Sequence, residues 1–140
     1  SSMFDPKAKN NNFQIAADNG SGIICFSPLA QGLLTGKYNN GIPEGSRAAR
    51  STGFLQLSQV TEERVEAVKK LAVIAEERKQ SIAQMALAWV LADKRVTSCI
   101  IGTSSVAQLE NNLATLDNLS FSEEELERID SIINNPNLYF

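Results

Sequence analysis

Two short, unbroken apolar runs constrain this chain more than any other feature. Ile23-Ile24-Cys25-Phe26 lies between Gly22 and Pro28, and Ser98-Cys99-Ile100-Ile101 stops at Gly102. Short runs without polar alternation predict strands buried on both faces, as in a parallel sheet. Between them, Val65, Val68, Ala72 and Ala75 recur at three- and four-residue steps, with Glu62, Glu63, Glu66, Lys69, Lys70, Glu76 and Glu77 on the other face. That spacing predicts a helix starting near Thr61. Ser81 with Gln84, Ser105 with Gln108 and Ser122 with Glu125 form capping-box patterns. They precede the stripes Ile82-Met85-Ala86-Trp89-Val90, Val106-Leu109-Leu113-Leu116 and Leu126-Ile129-Ile133. A shorter helical stretch over Phe13–Ala17 ends at Asn19-Gly20, and the polar residues before it read as a loop or frayed end. Strands each followed by helices give the α/β class with parallel βα units. Two such strands leave both sheet edges unpaired, so the pattern reads as part of a larger α/β fold.

At 140 residues, 43% hydrophobic and 21% charged, the chain fits a single domain unit over 1–140. It contains no histidine. A Ser-His-Asp or Cys-His nucleophile, histidine acid–base catalysis and a histidine-ligated zinc are therefore excluded for this chain alone. A net charge of -3 gives no electrostatic case for nucleic acid or an anionic membrane. Cys25 and Cys99, each in an apolar run, read as buried thiols of a reducing compartment. With no apolar stretch long enough to span a bilayer and no signal-peptide pattern, the cytoplasm is the expected location.

Two segments have the makings of a ligand site. Phe26-Ser27-Pro28-Leu29-Ala30-Gln31-Gly32-Leu33-Leu34-Thr35-Gly36-Lys37-Tyr38 begins where the first strand ends. Small residues after a parallel strand and a lysine one turn further on suit a phosphate-bearing ligand; a loop that merely turns the chain is the competing reading. Ile101-Gly102-Thr103-Ser104-Ser105 leaves the second strand and opens a helix, whose N-terminus favours an anion, although Ser105 can serve only as a cap. The Glu62-Glu63-Glu66 and Glu123-Glu124-Glu125 clusters complement helix dipoles, and Trp89 belongs to a core stripe. Tyr139 and Phe140 read as packing or dangling, and Arg47 and Arg50 lie in the long glycine-rich connection, where they reach a phosphate or stay solvated.

FSPLAQGLLTGKY, SIAQMALAWVLADKRVTSCIIGTSSVAQLENNLATL and SFSEEELERID together resemble the C-terminal part of an aldo-keto reductase. The branch it most resembles includes bacterial glyceraldehyde-3-phosphate-type reductases and potassium-channel β subunits. The resemblance runs from about Gly22 to Ile133 and implies the last two βα units, plus a closing helix, of a (β/α)8 TIM barrel. It implies reduction of small aldehydes or ketones with NADPH, NADH being the alternative. Phe26 would lie near the nicotinamide, and Ser27, Pro28, Leu29, Ala30, Gly32 and Lys37 would line the pyrophosphate. Gly102, Ser104, Gln108, Asn111 and Asn112 would hold the adenosine end and its 2′-phosphate, with Arg47 in a loop folding over the cofactor. Two positions depart from the family pattern. Asn111 stands where many members have an acidic residue, and Gln108 where many have an arginine, which weakens the case for NADPH over NADH. The family's catalytic Asp, Tyr, Lys and His have no counterpart here, so the chain is expected to be inactive alone. The alternative is a regulatory nucleotide-binding module of the channel β-subunit type. Self-association or partial disorder is expected if the remaining barrel strands are absent.

Overall fold

The computed structural model describes residues 1–6, 9, 11–44, 46, 49 and 55–140. Helix α1 (Asn12–Asp18) leads through Asn19 and Gly20, the latter at φ +66°, into strand β1 (Ile23–Phe26). A 3₁₀ segment over Ala30–Thr35 follows, then α2 (Glu62–Glu77), α3 (Ile82–Leu91), β2 (Val96–Ile100), α4 (Val106–Leu113) and α5 (Glu123–Ile133). Among the described residues, the named strands form a single parallel sheet, with Ile24 opposite Ser98, Cys25 opposite Cys99 and Phe26 opposite Ile100. The register slips between Ile23 and Ile24, and the Thr97 hydroxyl there accepts the Ile23 N–H at 3.1 Å.

The core lies on one side of this sheet. Ala67, Val68, Leu71, Ile74 and Ala75 of α2 meet α3, which is buried from Ile82 to Val90 except at Gln84. The inward stripe of α2 is thus rotated from the expected one: Val65 and Ala72 are only half-buried. Helix α5 packs Ile129 and Ile133 onto α2. Met3 and Phe4 are fully buried, so the start of the chain is docked rather than frayed: two large apolar side chains outweigh the polar residues around them.

The strands correct a second expectation. Ile23, Cys25, Val96 and Cys99 face the core, whereas Ile24, Phe26, Ser98 and Ile100 form an open face, Phe26 being 70% exposed. Among the described residues the helices cover one side only, and an apolar run by itself does not reveal how many faces have a neighbour. Strand β2 also begins at Val96 and ends at Ile100, two and one residues earlier than the sequence suggested. The α4 stripe differs likewise: Val106, Leu109, Leu113 and Leu116 are all exposed. Cys25 and Cys99 are free thiols. Burial raises both, Cys99 to about 11, so they stay protonated near neutral pH. Among the described residues no helix is long and apolar enough to cross a membrane.

Candidate functional site

Because β1 and β2 are parallel and Phe26 pairs with Ile100, both strands end at the same sheet edge, roughly 5 Å apart across one ladder spacing. The turns that begin at Ser27 and Gly102 therefore leave side by side.

The first turn is under backbone strain. Ser27, Ala30 and Gln31 hold φ of 51°, 48° and 60° without being glycine, a conformation costing roughly 1–2 kcal/mol each. Local hydrogen bonds fix it. The Ala30 N–H donates to the Ser27 carbonyl at 3.0 Å and the Gly32 N–H to the Leu29 carbonyl at 2.9 Å. The Gln31 amide reaches the Ser27 hydroxyl at 3.3 Å, and the Thr35 hydroxyl donates to the Gly32 carbonyl at 2.6 Å. Such strain clusters where a backbone is shaped for a ligand. At Gly32, φ is +99° and a Cβ would lie 2.9 Å from both Cε and Nζ of Lys37. The missing side chain lets the lysine lie across the loop, its amine 5.2 Å from the Tyr38 ring centre.

The second turn opens α4. Ser105 is the N-cap, its hydroxyl accepting the Gln108 N–H at 3.2 Å. The Gln108 side-chain carbonyl accepts from the Ser104 N–H at 2.9 Å and from the Ser104 hydroxyl at 3.0 Å. The expected reciprocal box at Ser105 is thus half formed, because Gln108 turns to Ser104 instead. A neutral amide carbonyl now sits over the positive end of the helix.

The structure separates the sequence-predicted residues, and Gln31, which was not among them, joins those at the first turn. Phe26, Ser27, Ala30 and Gln31 line a cleft of about 230 Å³, with Gly32 and Lys37 further along the same loop. Pro28 is buried and Leu29 packs on the core, leaving them only backbone to offer a ligand. Gly102, Ser104 and Gln108 are exposed at the neighbouring turn. Asn111 is exposed but tied to the start of α3: its side-chain amide donates to the Ser81 hydroxyl at 3.3 Å and its backbone carbonyl accepts from the Gln84 side chain at 2.8 Å. Asn112 is buried on the inward side of α4. Arg47 and Arg50 lie outside the described residues.

The sequence profile of the aldo/keto reductase family matches residues 1–134. The chain belongs to the aldo/keto reductase family. The match extends back past Gly22, consistent with the docking of Met3 and Phe4. The chain is 51% identical over 119 residues to an L-glyceraldehyde 3-phosphate reductase of Escherichia coli O157:H7, covering 83% of this chain and 34% of the relative. Identity to the L-glyceraldehyde 3-phosphate reductase of Escherichia coli K12 is 50%, with the same coverage. A putative voltage-gated potassium channel subunit β of Schizosaccharomyces pombe is 39% identical over 121 residues, 82% of this chain and 35% of the relative. The chain therefore spans about a third of the length of these aldo/keto reductase relatives.

Sequence reasoning missed five residues that line the cleft from outside the loop: Ser1, Ser2, Asp5, Gln59 and Phe140. It also missed the buried Arg64, whose side chain bonds the Gln59 carbonyl. The available signal was Arg64 itself, a cation in the first turn of a helix, where the dipole disfavours it.

Proposed function

We propose that residues 1–140 form the C-terminal part of an NAD(P)H-dependent aldo-keto reductase, comprising the last two βα units and a closing helix of a (β/α)8 barrel. The whole protein would reduce small aldehydes or ketones to alcohols. The observation that carries the reading is the common edge from which the Ser27 and Gly102 turns leave, next to each other and both rich in small or hydroxyl residues. The open sheet face and the uncovered α4 stripe support a barrel completed by further strands.

In this reading the strained Ser27–Gly32 backbone and the Lys37 amine hold the pyrophosphate, and Phe26 packs near the nicotinamide. Gly102, Ser104 and Gln108 receive the adenosine end, with Asn111 hydrogen-bonding the base and Asn112 supporting that site from the inward side of α4. Arg47, which lies outside the described residues, is assigned to the cofactor by the family resemblance alone. NADPH supplies the hydride when bound. The neutral Gln108 amide gives a 2′-phosphate no charge-assisted bond, so Lys37 and Arg47 would provide the positive field, and preference over NADH is modest. Identity to the glyceraldehyde 3-phosphate reductases supports a small aldehyde as substrate of the whole protein. The proton donor belongs to earlier barrel strands.

Titration of the 140-residue chain with NADPH and NADH, followed by nucleotide fluorescence, tests this. Saturable binding with less than about tenfold discrimination is expected. With 4-nitrobenzaldehyde present, no steady nucleotide oxidation should appear. Turnover above background would place the proton donor within this chain, and failure of both nucleotides to bind would overturn the nucleotide reading. Identity to the putative channel β subunit keeps a regulatory module as the second reading; aldehyde turnover by the whole protein decides against it.

A further inference from the structure

Arg64 is 6% exposed in the first turn of α2, a place where both the helix dipole and the loss of water oppose a cation. Burial lowers its pKa accordingly. No salt bridge to it exists among the described residues. Instead its Nε donates to the Leu138 carbonyl at 3.0 Å, Nη1 to the Gln59 carbonyl at 2.7 Å and Nη2 to the Tyr139 carbonyl at 2.6 Å. The guanidinium also lies 4.4 Å from the centre of the Phe140 ring. A planar five-donor fork is the side chain that can satisfy three carbonyls at once. It ties together two segments about 80 residues apart, the turn at Gln59 and the 136–140 stretch.

Both segments reach the same place. Gln59 and Phe140 line the cleft formed by Phe26, Ser27, Ala30 and Gln31. Phe26 and Phe140 stay 70% and 49% exposed, so two aromatic side chains remain available there. Asp5 also borders the cleft, and its carboxylate and the two aromatic side chains suit a flat, neutral or cationic ring beside the loop backbone.

We propose that Arg64 is a positioning residue: by holding the Gln59, Leu138 and Tyr139 carbonyls it sets Phe140 as a second aromatic wall of the Phe26 cleft, against which the nicotinamide ring packs. The inference rests on the nucleotide reading above and adds to it a binding contact from outside the two strand-end turns.

Calorimetric titration of the 140-residue chain with NADPH and with 2′,5′-ADP, which lacks the nicotinamide, separates the possibilities. Phe140→Ala and Arg64→Met should each weaken NADPH about tenfold and leave 2′,5′-ADP within about twofold. Arg64→Lys, which keeps the charge without the fork, should fall between wild type and Arg64→Met. Should Arg64→Met fail to fold, Phe140→Ala and Arg64→Lys still carry the test. Equal losses for both ligands would make the role purely structural, and unchanged NADPH affinity in Phe140→Ala would remove Phe140 as a wall; either overturns the proposal alone. If wild type binds neither ligand, the nucleotide reading falls and this inference with it.

Discussion

Lys37 lies across its own loop only because residue 32 has no side chain. Two effects are separable at Gly32. A φ of +99° strains any L-residue, and a Cβ would meet the Lys37 side chain at 2.9 Å. The lysine end is flexible and can move, whereas the backbone cannot change without losing the Gly32–Leu29 hydrogen bond. Gly32→Ala should therefore cost about 1–2 kcal/mol in urea unfolding and also weaken NADPH binding. Lys37→Met should weaken NADPH and leave unfolding unchanged, since that amine is exposed. Loss of stability in both variants would mean that Lys37 holds the loop rather than a ligand. At this scale the sequence is only partly legible. Glycine and lysine spacing marked the loop, but the positive φ of Ser27, Ala30 and Gln31 left no trace in residue type, since none of the three is glycine or asparagine. The inward turn of Asn112 was equally hidden, because polar residue types read as surface.

Helix ends were the most legible elements, since a cap is a short-range event. Ser81–Gln84 and Ser122–Glu125 form reciprocal boxes as their spacing required. Strand limits were less legible: Val96 and Thr97 follow a charged turn and carried no signal of their own. What spacing cannot show is a cap shared between helices. Glu125 accepts the Ser122 N–H at 2.9 Å and also the Arg78 guanidinium at 2.7 Å, joining the start of α5 to the end of α2. The Arg78 side chain is 2% exposed and stacks 3.8 Å from the Phe121 ring centre. Removing its partner leaves a buried cation uncompensated. Glu125→Gln keeps an acceptor for the box and loses the charge, so its cost should be about 1 kcal/mol. Glu125→Ala loses both and should cost about 2–3 kcal/mol, the partial exposure of Glu125 limiting the effect. Urea unfolding at pH 7 compares the two, and equal costs would show that the ion pair adds nothing beyond the box.

Across the whole molecule, seven of the exposed large apolar side chains gather in two patches. Ile24, Phe26 and Ile100 share one sheet face, and Val106, Leu109, Leu113 and Leu116 follow one side of α4 and the turn after it. Their spacing is that of core positions, so the same patterns that predicted burial now mark surfaces without a cover. Among the described residues both sheet edges are unpaired as well, because β1 and β2 have only each other. Covering one leucine is worth roughly 1.5–3 kcal/mol, and several together exceed what association costs at micromolar concentration. The isolated chain should therefore sediment as a concentration-dependent dimer or larger species. Leu113→Glu combined with Leu116→Lys should shift it toward monomer while changing urea stability by less than about 0.5 kcal/mol, since both side chains are already exposed. NADPH affinity should hold in that variant, because neither residue lines the cleft. A wild-type chain that stays monomeric at hundreds of micromolar would show that α4 needs no cover. Loss of nucleotide affinity together with association would move the binding site from the sheet edge to the α4 surface.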